Sequence, residues 1–477
     1  MAAGIGDMVI GAARLRDGWL VDVTVAAGRI ADVAAHVPGR RTDLDARGGL
    51  LLPGLHDHHV HIAATAAARA SVRCGPPDVT DAAGLARALQ GASGTGWLRG
   101  ISYHESVAGQ IDRAWLDAAV PGRPARIQHR SGRLWIFNSR GLDLLLADND
   151  PPPALDLATG RLFDADDWLR EALAGTRPDL TEVSRQWSRW GVTGLTDMNP
   201  QNGLADAGHF AAQQKSGALA QRLVVAGRPE LAGLVPGPRL VSGPFKVHLH
   251  EAHLPEYEEL VDAVRAAHGA GRGVAVHCVT ETELVFALAA LSEAGPKRHD
   301  RIEHASVAPD VLVAQIAQMG LAVVTQPNFV TERGDAYRSA IPSGEWASLY
   351  RLQSFLAAGV TLAGGTDAPF GMADPWAAMA AAVARRTATG AALGLAEALT
   401  PEAALDLFLA DPVALWRRRD VAPGAPADLC LLEQDWTALR QDLAGAKVMA
   451  TLVGGEVIYR ACQPPGRAAH AMENGHD

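Results

Sequence analysis

Four histidines and an aspartate fall within six residues, His56-Asp57-His58-His59-Val60-His61. His59 and His61 are two apart, so on a strand they project from one face. Two neighbouring imidazoles can grip one divalent ion. The plain alternative is a histidine-rich surface strand, but apolar Leu50 to Leu52 before the cluster and Val60 and Ile62 within it read as a core strand. Other groups of this kind stand alone in apolar runs: His277 in Val274-Ala275-Val276-His277-Cys278, His304 in Arg301-Ile302-Glu303-His304-Ala305, and Asp367 after Gly364-Gly365-Thr366. Lys246 lies in Phe245-Lys246-Val247-His248-Leu249-His250, where burying an ammonium is costly unless it is neutralised or paired. His248 and His250 alternate with it on the same face.

The elements that must position these groups recur in a regular beat. Candidate strands are Val192 to Met198, Arg222 to Ala226, Phe245 to His250, Gly273 to Cys278, Arg301 to Ala305, Leu321 to Gln326 and Val360 to Gly365. Helical patterns such as Tyr257 to His268, Glu281 to Glu293 and Pro309 to Met319 separate them, which is the rhythm of a parallel sheet. With the His59/His61 strand they make the eight of a (β/α)₈ TIM barrel. A doubly wound open sheet is the alternative, but no Gly-x-Gly-x-x-Gly follows any strand. Barrel catalytic groups come from the C-terminal ends of strands. His277, His304 and Asp367 fall at the ends of the fifth, sixth and eighth. One such residue alone would be an ordinary core or capping side chain; Asp367, for instance, could cap a helix begun near Pro369 and Pro375.

Residues 1–53 read as short strands, as do 421–465, with Gly454-Gly455 as a hairpin turn. Neither end has enough strands to stand alone, so both are expected to build one small β-sandwich domain beside a barrel spanning 54–420. The stretch between the first two barrel strands is far longer than a βα loop needs. An inserted subdomain is expected at about 96–165, over the catalytic mouth because it leaves after a barrel strand. Residues 466–477 read as a frayed tail.

Composition narrows the partners. About half the chain is apolar and the net charge is −10, normal for a soluble enzyme and unsuited to nucleic acid or an anionic membrane. No apolar stretch reaches the ~18 residues needed to cross a bilayer. Four scattered cysteines and a start without signal-peptide character point to the cytoplasm.

The run Pro53-Gly54-Leu55-His56-Asp57-His58-His59-Val60-His61 resembles the Pro-Gly-x-x-Asp-x-His-x-His signature of the amidohydrolase superfamily, metal-dependent hydrolases built on a barrel. Val421-Ala422-Pro423-Gly424 through Leu429, followed by Thr451 to Gly455, is similar to its C-terminal signature. Gly96-Trp97-Leu98-Arg99-Gly100, Ser131 to Ser139 and Gly191 to Asp197 resemble the amidohydrolase family 3 branch that includes the N-substituted formamide deformylases. The resemblance implies one or two divalent ions, Zn²⁺ foremost, held by His59, His61, Lys246, His277, His304 and Asp367. Lys246 would carry a carbamate made from carbon dioxide; a salt-bridged barrel lysine is the alternative. Asp367 would shuttle the proton.

Hydrolysis of a non-peptide C–N bond in a small amide or formamide is the implied activity. A mononuclear deaminase, a phosphotriester or lactone hydrolase, and a scaffold without activity stay open. The deaminase branch carries His-x-x-Glu on the fifth strand, where this chain has Thr280, with Glu281 one residue late. Two further departures from the branch, Arg133 after Gly132 and Glu251 after His250, leave specificity open. His104, Arg133, Trp135, His248 and His250 are the candidates to face substrate, and a homo-oligomer is possible.

Overall fold

The computed structural model describes residues 7–76, 78–173 and 177–462; the expected tail, 466–477, lies outside them. Contacts divide the chain into one compact unit of Met1–Ile62 with Leu180–Asp477 and a second of Ala63–Asp179.

The first unit is centred on eight parallel strands: β1 (Leu55–Val60), β2 (Val192–Asp197), β3 (Arg222–Gly227), β4 (Leu240–His248), β5 (Val274–Cys278), β6 (Arg301–His304), β7 (Ala322–Thr325) and β8 (Thr361–Gly364). They run in chain order around the sheet. Asp367 N donates to His59 O at 2.8 Å and His61 N to Ala368 O at 2.9 Å, which brings the exit of β8 against β1 and closes a TIM barrel. The approach is close enough to require glycine at 365, where a Cβ would lie 2.5 Å from that of His59. Asp57 straps the same seam, accepting from Thr366 N at 3.0 Å and Thr366 Oγ1 at 2.5 Å. Strands such as β1, β2 and β6 are buried at every residue, as strands covered on both faces must be. Helices begin at legible caps; Thr280 and Glu283 form a capping box at the start of Glu281–Ala294.

β4 differs from its expected span of Phe245 to His250. It starts at Leu240, because Pro244 sits at an irregularity in the pairing with β3 where its missing N–H is tolerated. It ends at His248, and His250 instead caps the short turn Glu251–His253.

Both chain ends do meet in antiparallel sheets. Met8–Arg14, Leu20–Ala26 and Arg29–Ala35 form one, with Leu44–Asp45 added in parallel; Leu51–Pro53, Leu429–Leu432, Val448–Val453 and Glu456–Arg460 form the other. Ile10, Val21 and Val23 from the first share one core with Leu429, Leu431 and Ala450 from the second.

The second unit has a six-stranded sheet of its own. It extends beyond the expected 96–165 because the two-residue strand Val72–Arg73 joins its edge and helix Ala82–Gln90 packs Leu85 and Leu89 into its core. A two-residue strand is too short to leave a periodic pattern in the sequence.

Candidate metal centre

The chemistry-bearing side chains gather where the barrel strands end. His59 is near the end of β1 and His61 just beyond it. His304 ends β6, His277 is the penultimate residue of β5, and Asp367 lies past β8. His59, His304 and Asp367 each offer a ligand atom within 4.8 Å of the others. Nε2 of His59 is 3.4 Å and Nε2 of His61 3.2 Å from Oδ1 of Asp367. The His277 ring lies 4.4 Å from that of His304 and stacks at 4.1 Å on His248. His304 and Asp367 hold left-handed backbone, φ +69° and +55°. Such conformations are costly for residues other than glycine and cluster at functional sites.

Two buried side chains that sequence reasoning missed set the imidazoles. Glu303 Oε2 lies 2.5 Å from Nδ1 of His59, and Gln326 Oε1 lies 2.7 Å from Nδ1 of His304. Both partners accept, so each Nδ1 carries the proton and each Nε2 presents its lone pair. Arg301 holds Glu303 from the other side, Nε to Oε1 at 2.5 Å. Asp197 was missed as well: its Oδ2 accepts from Ile62 N at 2.7 Å and its Oδ1 from Asn202 Nδ2 at 2.6 Å, fastening the chain beside His61. The available signal was a polar side chain ending an otherwise apolar strand, as in Ile302-Glu303 and Val324-Thr325-Gln326.

Burial pushes His59, His277 and His304 far below the ordinary imidazole range, so all three are neutral near pH 7, the form that binds metal. Burial likewise brings Lys246 down to about 8. For Asp367 burial works upward, but His59, His61 and Lys246 outweigh it and hold the carboxyl below its usual range.

These residues fit a cation. His304 Nε2 is buried without a hydrogen-bond partner among the described residues, and Asp367 Oδ1 lies between the Nε2 atoms of His59 and His61. The lone pair of His59 Nε2 faces a carboxylate oxygen with no proton between them. A divalent ion among these atoms would satisfy acceptors that are otherwise left against one another.

The other candidates have surroundings of their own, and His248 borders the cluster through its stack on His277. His248 and His250 are solvent-exposed, and His250 accepts from Ala252 N at 3.3 Å. Within the second unit, His104 caps helix Glu105–Ala108, Arg133 pairs with Asp164 at 2.5 Å, and Trp135 is buried with Phe137 and Leu142. Each therefore has a local structural role. Thr280, where deaminases carry glutamate, is a helix cap, and Glu281 is exposed. The cap expected of Asp367 is provided by Asp374, which accepts from Trp376 N at 2.9 Å.

A model of the amidohydrolase family matches residues 44–459. N-substituted formamide deformylase of Arthrobacter pascens is 25% identical over 515 residues, 92% of this chain and 94% of that protein. The putative amidohydrolase YtcJ of Bacillus subtilis (strain 168) is 27% identical over 212 residues, 42% of this chain and 40% of that one. Among solved structures, an uncharacterized metal-dependent hydrolase of Pyrococcus horikoshii OT3 has a TM-score of 0.77 at 18% identity, covering 92% of this chain and 100% of that one. Likeness at that identity speaks for the fold.

Proposed function

We propose that this chain, which belongs to the amidohydrolase family, hydrolyses an amide or formamide C–N bond in a small molecule. The observation that carries the reading is the buried meeting of His59, His304 and Asp367 with Lys246 close by. The similarity to a formamide deformylase supports the choice of bond.

His59, His61, His277 and His304 would hold the ion or ions, with Zn²⁺ suited to a set of imidazoles and a carboxylate. A bound divalent ion supplies Lewis acidity that polarises the scissile carbonyl and acidifies water. Lys246, brought down to about 8, has a neutral amine as its minor form near neutral pH, far more populated than in an ordinary lysine. Its nitrogen lone pair can attack carbon dioxide and lose a proton, which turns a buried cation into anionic oxygen ligands for a second ion. Asp367, kept ionised, would take the proton of the attacking water and pass it to the leaving nitrogen. His248, stacked on His277 and open to solvent, is the nearest candidate to meet substrate. The four cysteines are free, which suits the cytoplasm.

The test is a screen of the zinc-loaded full chain against N-substituted formamides, N-acyl amino acids, hydantoins and lactones, with amine and ammonia followed separately. Amine release from a formamide or amide is expected. Turnover of lactones alone, or ammonia release from aminated heterocycles alone, would replace this reading with one of its alternatives.

A further inference from the structure

A cavity of about 320 Å³ opens on the barrel and contains none of the proposed metal ligands. Its walls come from the N-terminal part of the strands, away from His59, His277 and His304, and include His299, which meets the Trp416 ring edge-on at 4.8 Å. Ser242 and Pro244 precede Lys246 on the same face of β4, while Arg301 begins β6 and Ala322 begins β7. Pro412, Val413, Leu415 and Trp416 form the remaining wall.

Its lining divides into two kinds. Val224, Leu415 and Trp416 supply apolar surface. Arg272, Arg298 and Arg301 supply charge, and no aspartate or glutamate lines the cavity. Nearby acids are engaged elsewhere. Asp300 accepts from His268, Val274 N and Lys297 N, and Asp411 accepts from Val413 N and Ala414 N. Arg272 gives its hydrogen bonds to the carbonyls of Gly243, Arg228, Pro229 and Pro244, so it contributes field rather than a free donor. Arg298 lies over the Trp416 ring, 4.0 Å from its centroid, and is exposed. Arg301 reaches the cavity from below the metal centre, anchored to Glu303, His58 O and Met198 Sδ.

A half-open cavity with aromatic and aliphatic walls, an exposed arginine at 298, an imidazole at 299 and no carboxylate in its lining is complementary to a negatively charged ligand with an apolar body. We propose that this cavity is a binding site for a small organic monoanion, an aromatic or aliphatic carboxylate, that packs beside Trp416 and is held by Arg298, while Arg301, already paired with Glu303, lines the floor. This assignment does not depend on the reaction proposed above.

Benzoate and hexanoate are the probes, with benzamide as the neutral match, in calorimetric titrations of the full chain after chelator dialysis. Removing metal ensures that the carboxylate has no ion to bind at the other end of the barrel. Saturable one-to-one binding is expected, at least about tenfold tighter for benzoate than for benzamide, as a charge-assisted contact implies. Arg298→Glu and Trp416→Ala should each weaken benzoate by about tenfold or more, with circular dichroism unchanged. Retained benzoate affinity in both variants, equal affinity for benzamide, or no saturable binding at millimolar benzoate would overturn the proposal. Fluorine NMR of 4-fluorobenzoate gives a second readout, since the signal change on binding should shrink in either variant.

Discussion

Glu303 joins two buried groups, and replacing it with glutamine separates their contributions. One oxygen lies 2.5 Å from Nδ1 of His59 and the other 2.5 Å from Nε of Arg301, with all three side chains at most 3% exposed. Glu303→Gln keeps the volume and one acceptor but removes the charge. At His59, loss of an orienting carboxylate weakens metal binding by about 10–100-fold, or about 1.4–2.7 kcal/mol. At Arg301, stripping a buried cation of its counterion costs about 3–5 kcal/mol, less whatever the amide carbonyl recovers as a neutral acceptor. Zinc affinity is read by competition against a fluorescent chelator, and stability by thermal unfolding of the metal-free protein. The expected result is a cooperative but less stable fold with zinc weakened by about 10–100-fold. Zinc affinity within about twofold of wild type, well inside that range, would refute the role given to Glu303.

Lys246→Ala should lose the second ion and most activity, and short carboxylic acids should restore part of both; a variant with full metal content and activity would leave Lys246 as a structural lysine. Asp367→Asn should fold normally, because Asp374 caps the following helix, while kcat falls by ~10²–10⁴; near-normal turnover would move the proton to His248 or His250. Trp135→Ala should destabilise the second unit by about 3–5 kcal/mol, seen as faster limited proteolysis within Ala63–Asp179, and an unchanged cleavage rate there would contradict its place in that core. If His104→Ala and Arg133→Ala also leave kcat/KM untouched on the best substrate, the insert does not select it.

Much of the barrel was legible because parallel strands buried on both faces write continuous apolar runs, as in Val274-Ala275-Val276 and Ala322-Val323-Val324. His59, His277 and His304 stood out as polar breaks in such runs. Glu303 and Gln326 are breaks of the same kind, but their meaning depends on which imidazole lies across the barrel, and that is set by register and closure rather than by neighbours in the chain. β4 begins earlier than its sequence suggests: Gly243-Pro244 reads as a terminator, whereas an irregular pairing lets Pro244 sit inside the strand. Asp367 offered a cap role and a site role at once. Only the presence of Asp374 at the helix N-terminus separates them.

Whether His59 and His61 hold the metal is read by elemental analysis of the purified protein beside His59→Ala/His61→Ala. At least one equivalent of zinc is expected in the wild type, with loss of metal in the double variant and an unchanged fold by circular dichroism. Equal metal content in the two proteins would contradict it.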